Sequence, residues 1–172
     1  SDGSAHFING TIEHNLFIDT VGYNTEIKHQ VGEHPASVIA PGTNSTTIIR
    51  YNVFAKLIDY SSPAGPRPNL LVGYVPLFGT GTNDFYNIYG NFFYNNPTEA
   101  LFQGEGNIAL HHNLFVNPQG EAINVQQHND RPRSIRVFHN TVVSNGEGIS
   151  VTGGDPAYQQ IVTGNAVFGI PS

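Results

Sequence analysis

Lys28 is one of two lysines in the chain, and it stands in a short run, Asn24-Thr-Glu-Ile-Lys-His, that also carries Glu26 and His29. Tyr74 and Arg67 add a phenol and a guanidinium further along. Lys28, His29 and Tyr74 can give or take a proton, and Arg67 presents a planar fork to an anion. A second polar series, Gln103, Glu105, Gln126, His128, Arg131 and Arg133, has the amides and guanidinium groups that suit hydroxyls and carboxylates. Both sets also have a plainer reading. Long charged side chains stay exposed by default, so Lys28 reads equally as an outward strand lysine and the second series as a solvated face with a basic turn.

Histidines and aromatics pose the same choice. His14, His112 and His139 each precede an Asn that recurs through the chain, so the repeat itself accounts for them. His111 and His112 are adjacent, and neighbours on a strand face opposite sides, so they are not expected to share one metal ion. Tyr86 and Tyr89 lie in a crowded stretch with Phe85, Phe92, Phe93 and Tyr94. Either tyrosine could stack on a sugar ring, but such clusters more often pack beneath a loop, here 75–83.

The elements that must position these groups are visible as a repeat. An aliphatic residue, two variable residues, Asn, one variable residue and a large apolar residue recur as IEHNLF, IRYNVF, IYGNFF, LHHNLF, VFHNTV and VTGNAV. The Asn residues are 15, 52, 91, 113, 140 and 165, separated by 37, 39, 22, 27 and 25 positions. That spacing is one solenoid coil of about 25 residues with two coils stretched by loops. The apolar columns, Ile12 to Val162 and Phe17 to Val167, are expected to point inward. The Asn column is expected at a corner, its amide bonding to backbone and to the same residue one coil away, with Asn itself taking left-handed angles. A second register, Glu99-Ala-Leu-Phe-Gln, Glu121-Ala-Ile-Asn-Val and Glu147-Gly-Ile-Ser-Val, joins Thr25-Glu-Ile-Lys-His and Asn69-Leu-Leu-Val-Gly as a further strand of every coil. It places Ile27, Leu71, Leu101, Ile123 and Ile149 inside. Extra residues at 31–44, 61–69 and 75–83 are expected as loops on one side of the rod.

Composition agrees with this architecture. Only 12% of the 172 residues are charged, while Gly numbers 19 and Pro 11, a profile of short strands and many turns. With no Cys, neither disulfides nor thiolate metal sites contribute. A net charge of −6 argues against a general nucleic-acid binder, which needs a broad basic face. No apolar run reaches membrane-spanning length, so no membrane span is expected. The chain is expected to form a single domain over 1–172, whole or a piece of a longer β-helix. Opening on Ser1 without Met suggests a processed or trimmed N-terminus, and Asn9-Gly-Thr and Asn44-Ser-Thr are glycosylation sequons.

These columns resemble the right-handed, single-stranded parallel β-helix of the pectate-lyase-like superfamily, whose coils carry comparable aliphatic columns and Asn ladders. The resemblance implies an all-β solenoid of about six to seven coils. It also implies a secreted, periplasmic or cell-surface location and an acidic polysaccharide as partner. Within that superfamily, Asn24 to His29 resembles the strand of β-helical alginate lyases and chondroitinase B that carries acidic calcium ligands and a catalytic Lys. By that likeness Glu26 is the metal ligand, with calcium as cofactor, and Lys28 the base. Those enzymes place an Arg on a neighbouring coil. The aligned strand here lacks one, and Arg67 just precedes it. β-Elimination beside a uronate carboxylate needs a cation or metal for that carboxylate, a base near the proton and an acid for the leaving oxygen. Lys28, His29, Tyr74 and Arg67 are the residues for those roles, with the Gln103 to Arg133 series as a sugar track. Two other readings stand beside this one: a non-catalytic structural rod that self-associates end to end through exposed coil ends, and a module that binds sugar without cleaving it.

Overall fold

The computed structural model describes residues 6–28, 33–58, 65–73 and 75–169. His29, Tyr74 and parts of two expected loops, 31–32 and 61–64, lie outside the described residues. Among the described residues all regular structure is β, arranged as three parallel sheets. The first runs β1 (Thr11–Glu13), β4 (Thr46–Arg50), β7 (Phe85–Tyr89), β10 (Gly106–His111), β13 (Pro132–Phe138) and β16 (Gln160–Thr163). The second runs β2 (Leu16–Ile18), β5 (Val53–Ala55), β8 (Phe92–Tyr94), β11 (Leu114–Asn117), β14 (Thr141–Ser144) and β17 (Ala166–Gly169). The third runs β3 (Thr25–Ile27), β6 (Leu70–Val72), β9 (Phe102–Gly104), β12 (Ile123–Val125) and β15 (Ile149–Val151). Each of the first five coils therefore contributes one strand to each sheet and the sixth contributes one to the first two, successive coils pairing with each other. This is a parallel β-helix.

Both apolar columns hold as expected. Ile12, Ile49, Ile88, Leu110, Val137 and Val162 pair in register across the first sheet. Phe17, Phe54, Phe93 and Phe115 pair across the second, their rings stacked at centroid separations of 5.0, 4.9 and 4.5 Å. Such offset stacks add to the burial itself, because ring faces and edges carry opposite partial charge.

Between the two sheets the six asparagines form a ladder. Asn15, Asn52, Asn91, Asn113 and Asn140 each donate both backbone N–H and Nδ2 to Oδ1 of the next, at 2.9–3.1 Å. Nδ2 also donates to the carbonyl two residues back in its own coil, as from Asn52 to Arg50 at 2.9 Å. That bond closes over the residue in between, and there the left-handed backbone falls. His14, Tyr51, Gly90, His112, His139 and Gly164 all have φ between 52° and 66°. The sharp bend therefore sits one residue before the position expected for it, because the asparagine side chain staples the bend rather than adopting it.

The third sheet keeps Ile27, Ile123 and Ile149 inside as expected but shifts the expected frame by one residue at 69–73 and 99–103. Pairing sets Thr25, Leu70, Phe102, Ile123 and Ile149 in one row and Ile27, Val72, Gly104, Val125 and Val151 in another, and these point inward. Leu71 is opposite Gln103 and Asn124 on the outer face. Two adjacent leucines fit either phase of a two-residue period, so only the ladder decides between them. Leu101 is buried but precedes β9 rather than standing in it. Tyr86 is buried, and its hydroxyl donates to the Gly73 carbonyl at 2.8 Å, so it packs beneath the third sheet and offers no face to a sugar.

Candidate functional site

The outer face of the third sheet carries a groove of about 290 Å³. Its floor follows from strand alternation. Glu26, Leu71, Gln103 and Asn124 form one outward row. The ladder continues past the strand ends, through Gly73 N–H to Ile27, Glu105 N–H to Val72 and Gln126 N–H to Gly104. Lys28, Gly73, Glu105 and Gln126 therefore form a second outward row. Lys28, Leu71, Gln103, Glu105, Gln126 and His128 all line the groove.

Gly73 lies beneath two of the lining side chains. A β-carbon built there would lie 3.4 Å from Lys28 Cγ and 3.4 Å from Glu105 Oε1, so the two flanking side chains already crowd the space above it. Glu105 is buried, and its Oε2 accepts from three successive backbone N–H groups, His128 at 3.0 Å, Asn129 at 2.9 Å and Asp130 at 3.0 Å. The carboxylate thus holds the turn that presents His128. The expected sugar ligand Glu105 is a groove wall whose Oε2 is committed to that turn.

The opposite wall is the Pro66-Arg67-Pro68 segment together with Tyr23 and Glu99. The other lysine, Lys56, is buried and donates Nζ to the Arg67 carbonyl at 2.7 Å, and Asn96 Nδ2 donates to the same oxygen at 2.9 Å. Prolines on both sides restrict the backbone further. These contacts tie Arg67 to the third sheet although it stands outside any strand. Its guanidinium lies 5.5 Å from the centroid of the Tyr23 ring. Burial pushes the Tyr23 phenol above its ordinary value, with Glu26 adding to the rise and Arg67 opposing it. Sequence reasoning missed Tyr23, which has no place in the repeat and reaches the site only because the segment around Arg67 passes beside it.

Three expected residues fall elsewhere. Glu26 borders a separate shallow hollow with Tyr23 and Arg67, on the far side of the ridge those two residues make. Arg131 is exposed and does not line the groove. Arg133 is buried and pairs with Asp130 at 2.7 Å, and it donates to the Thr82 carbonyl at 2.9 Å. It clamps the 75–84 loop and is not part of a sugar track. Among the described residues no group of three or more His, Asp or Glu side chains is placed to hold a metal ion. No chemical step is derived through calcium.

The histidines of the first sheet also differ from expectation. Because His112 has φ of 52°, its side chain turns back toward that of His111, and the two Nδ1 atoms lie 2.8 Å apart. His111 Nε2 is 3.0 Å from Asn87 Oδ1. Burial, then the neighbours His112 and His139, lower the His111 imidazole from its ordinary value.

Fold and site together define a parallel β-helix with a polar, mixed-charge groove on one sheet. Comparison with protein-family models, curated proteins and solved structures finds no match, so the site's chemistry rests on its own geometry.

Proposed function

We propose that this chain is a secreted carbohydrate-active β-helix that binds an acidic polysaccharide along the third sheet and cleaves it by β-elimination, in the manner of the pectate-lyase-like superfamily. One observation carries the reading. Lys28 and Arg67, 39 positions apart in sequence, line one groove together with the amides of Gln103 and Gln126, the His128 imidazole, the Tyr23 phenol and the carboxylates of Glu99 and Glu105. A groove of this size is at the small end of ligand sites, and its lining spans four successive coils, from Lys28 through Leu71 and Gln103 to Gln126.

In this reading Arg67 holds the uronate carboxylate, which makes the adjacent carbon more acidic. Lys28 takes the proton from that carbon. Its electron pair forms the new carbon–carbon double bond as the glycosidic carbon–oxygen bond breaks. The leaving oxygen takes a proton from Tyr23, whose raised phenol stays protonated at neutral pH. Gln103 and Gln126 hydrogen-bond neighbouring hydroxyls.

The test is incubation with alginate, polygalacturonate and glycosaminoglycans while following the ultraviolet absorbance of the unsaturated product. Absorbance should rise with one polymer and be lost in Lys28→Ala. Retardation in a polymer-containing gel without absorbance would leave binding and remove cleavage, and no interaction with any polymer would remove both.

A self-assembling rod is the second reading. In the last coil described, Val162 and Val167 continue the buried columns yet are 49% and 50% exposed. Light scattering that grows with protein concentration would favour it.

A further inference from the structure

We propose that His111 and His112 form a tetragonal copper(II) site on the outer surface of the first sheet, independent of the saccharide groove. The left-handed residue of each coil projects from the corner before the Asn ladder. In this coil that residue is a histidine whose neighbour is also a histidine. Their Nδ1 atoms stand 2.8 Å apart. Two cis nitrogens, each about 2.0 Å from a square-planar ion, lie about 2.8 Å apart, whereas a tetrahedral ion would hold them at about 3.3 Å. Two imidazole nitrogens this close can meet one ion once the exposed ring turns, and at a nitrogen pair of this kind copper(II) outranks zinc in intrinsic affinity.

A second feature supports it. Asn87 Oδ1 accepts from His111 Nε2 at 3.0 Å, which fixes that ring as the tautomer with its lone pair on Nδ1. Metal-bound histidines commonly have the other ring nitrogen held in this way. The metal-free pair is joined by a hydrogen bond from His112 Nδ1 to His111 Nδ1. On binding, the His112 proton moves to its Nε2, the exposed ring of His112 turns, and both Nδ1 lone pairs go to the ion, with water completing the coordination. A shallow hollow beside His112, lined also by Tyr51, Leu114 and His139, leaves the ion open to solvent.

The experiment is titration of the full chain with copper(II) chloride in a non-coordinating buffer, followed by calorimetry and by electron paramagnetic resonance. One equivalent should bind, with an axial spectrum split by two imidazole nitrogens, and zinc(II) should bind at least about tenfold more weakly. The variants are His111→Gln and His112→Asn, the latter because Asn tolerates the left-handed backbone. Each should weaken copper by at least about tenfold. Thermal melts of both variants, compared with the parent, separate loss of the site from loss of the fold. Copper binding that survives in the double variant belongs elsewhere and would overturn the proposal, as would zinc binding as tightly as copper, or no binding in a chain that melts normally.

Discussion

Lys28 and Glu105 occupy one outward row of the third sheet on either side of Gly73, and both side chains lean over that glycine, 3.4 Å from where its β-carbon would stand. Opposite charges thus flank a gap one residue wide. The gap exists because the middle strand has no side chain there.

Filling that gap should close the groove without unfolding the rod. An alanine β-carbon at Gly73 sits in ordinary contact, and the backbone there is not left-handed. Gly73→Ala should keep the melting temperature within a few degrees, while Gly73→Leu should abolish polymer binding in a gel-retardation assay. Undiminished binding by Gly73→Leu would place the ligand elsewhere.

Glu105 is expected to act through the turn it holds. Glu105→Ala leaves the N–H groups of exposed His128 and Asn129 and of half-buried Asp130 without their acceptor and should cost about 1–2 kcal/mol in urea denaturation. Glu105→Gln retains one acceptor oxygen and should cost less. In both, amide exchange at 128–130 should accelerate more than at Asn113. Uniform acceleration would show that the turn is held by other contacts.

The ladder should be weakest at its outer rung. Asn113→Ala removes the oxygen that accepts both the backbone N–H and Nδ2 of buried Asn91, each at 3.0 Å, and should destabilise by about 3 kcal/mol. Asn15→Ala removes bonds at an exposed rung and should cost less than about 1 kcal/mol. Chemical denaturation of the two variants side by side checks the difference, and equal costs would mean that the rungs do not act through burial.

The turns leading to the third sheet stack Glu99, Glu121 and Glu147. Burial first, then Glu99 and Glu147, raise the Glu121 carboxyl above its ordinary 4.5. The folded state therefore binds this proton more tightly than the unfolded state. Stability is lost as pH rises from 4.5 through the folded value and is regained on acidification through the same window. Glu121→Gln should stabilise the protein at pH 7, with the gain vanishing below about pH 4.5. Denaturation midpoints at the two pH values test this, and a gain of equal size at both would assign it to packing.

Part of this site was legible before any coordinates. Lys28 follows inward Ile27 and Gln126 stands three residues after inward Ile123, so their outward direction follows from period alone, whereas Gln103 faces outward only in the phase that the pairing sets. Arg67 was legible only as a candidate, since nothing local says that Lys56 and Asn96 will seize its carbonyl. Tyr23 left no trace in the pattern. Arg133 and Arg131 look equivalent in a basic turn, yet one is buried in an ion pair with Asp130 and the other is exposed. Burial is a property of the neighbours that arrive from distant loops.

By itself the sequence determined the coil: six asparagines and two apolar columns recur because every turn of a solenoid meets the same environment, and like environments select like residues. Tertiary structure alone decided the phase of the third sheet, the left-handed residue ahead of each ladder Asn, and the meeting of Lys28 with Arg67. Those depend on pairing between coils and on hydrogen bonds across 20 to 40 residues, and no local pattern records which of two adjacent leucines a neighbouring strand will turn inward.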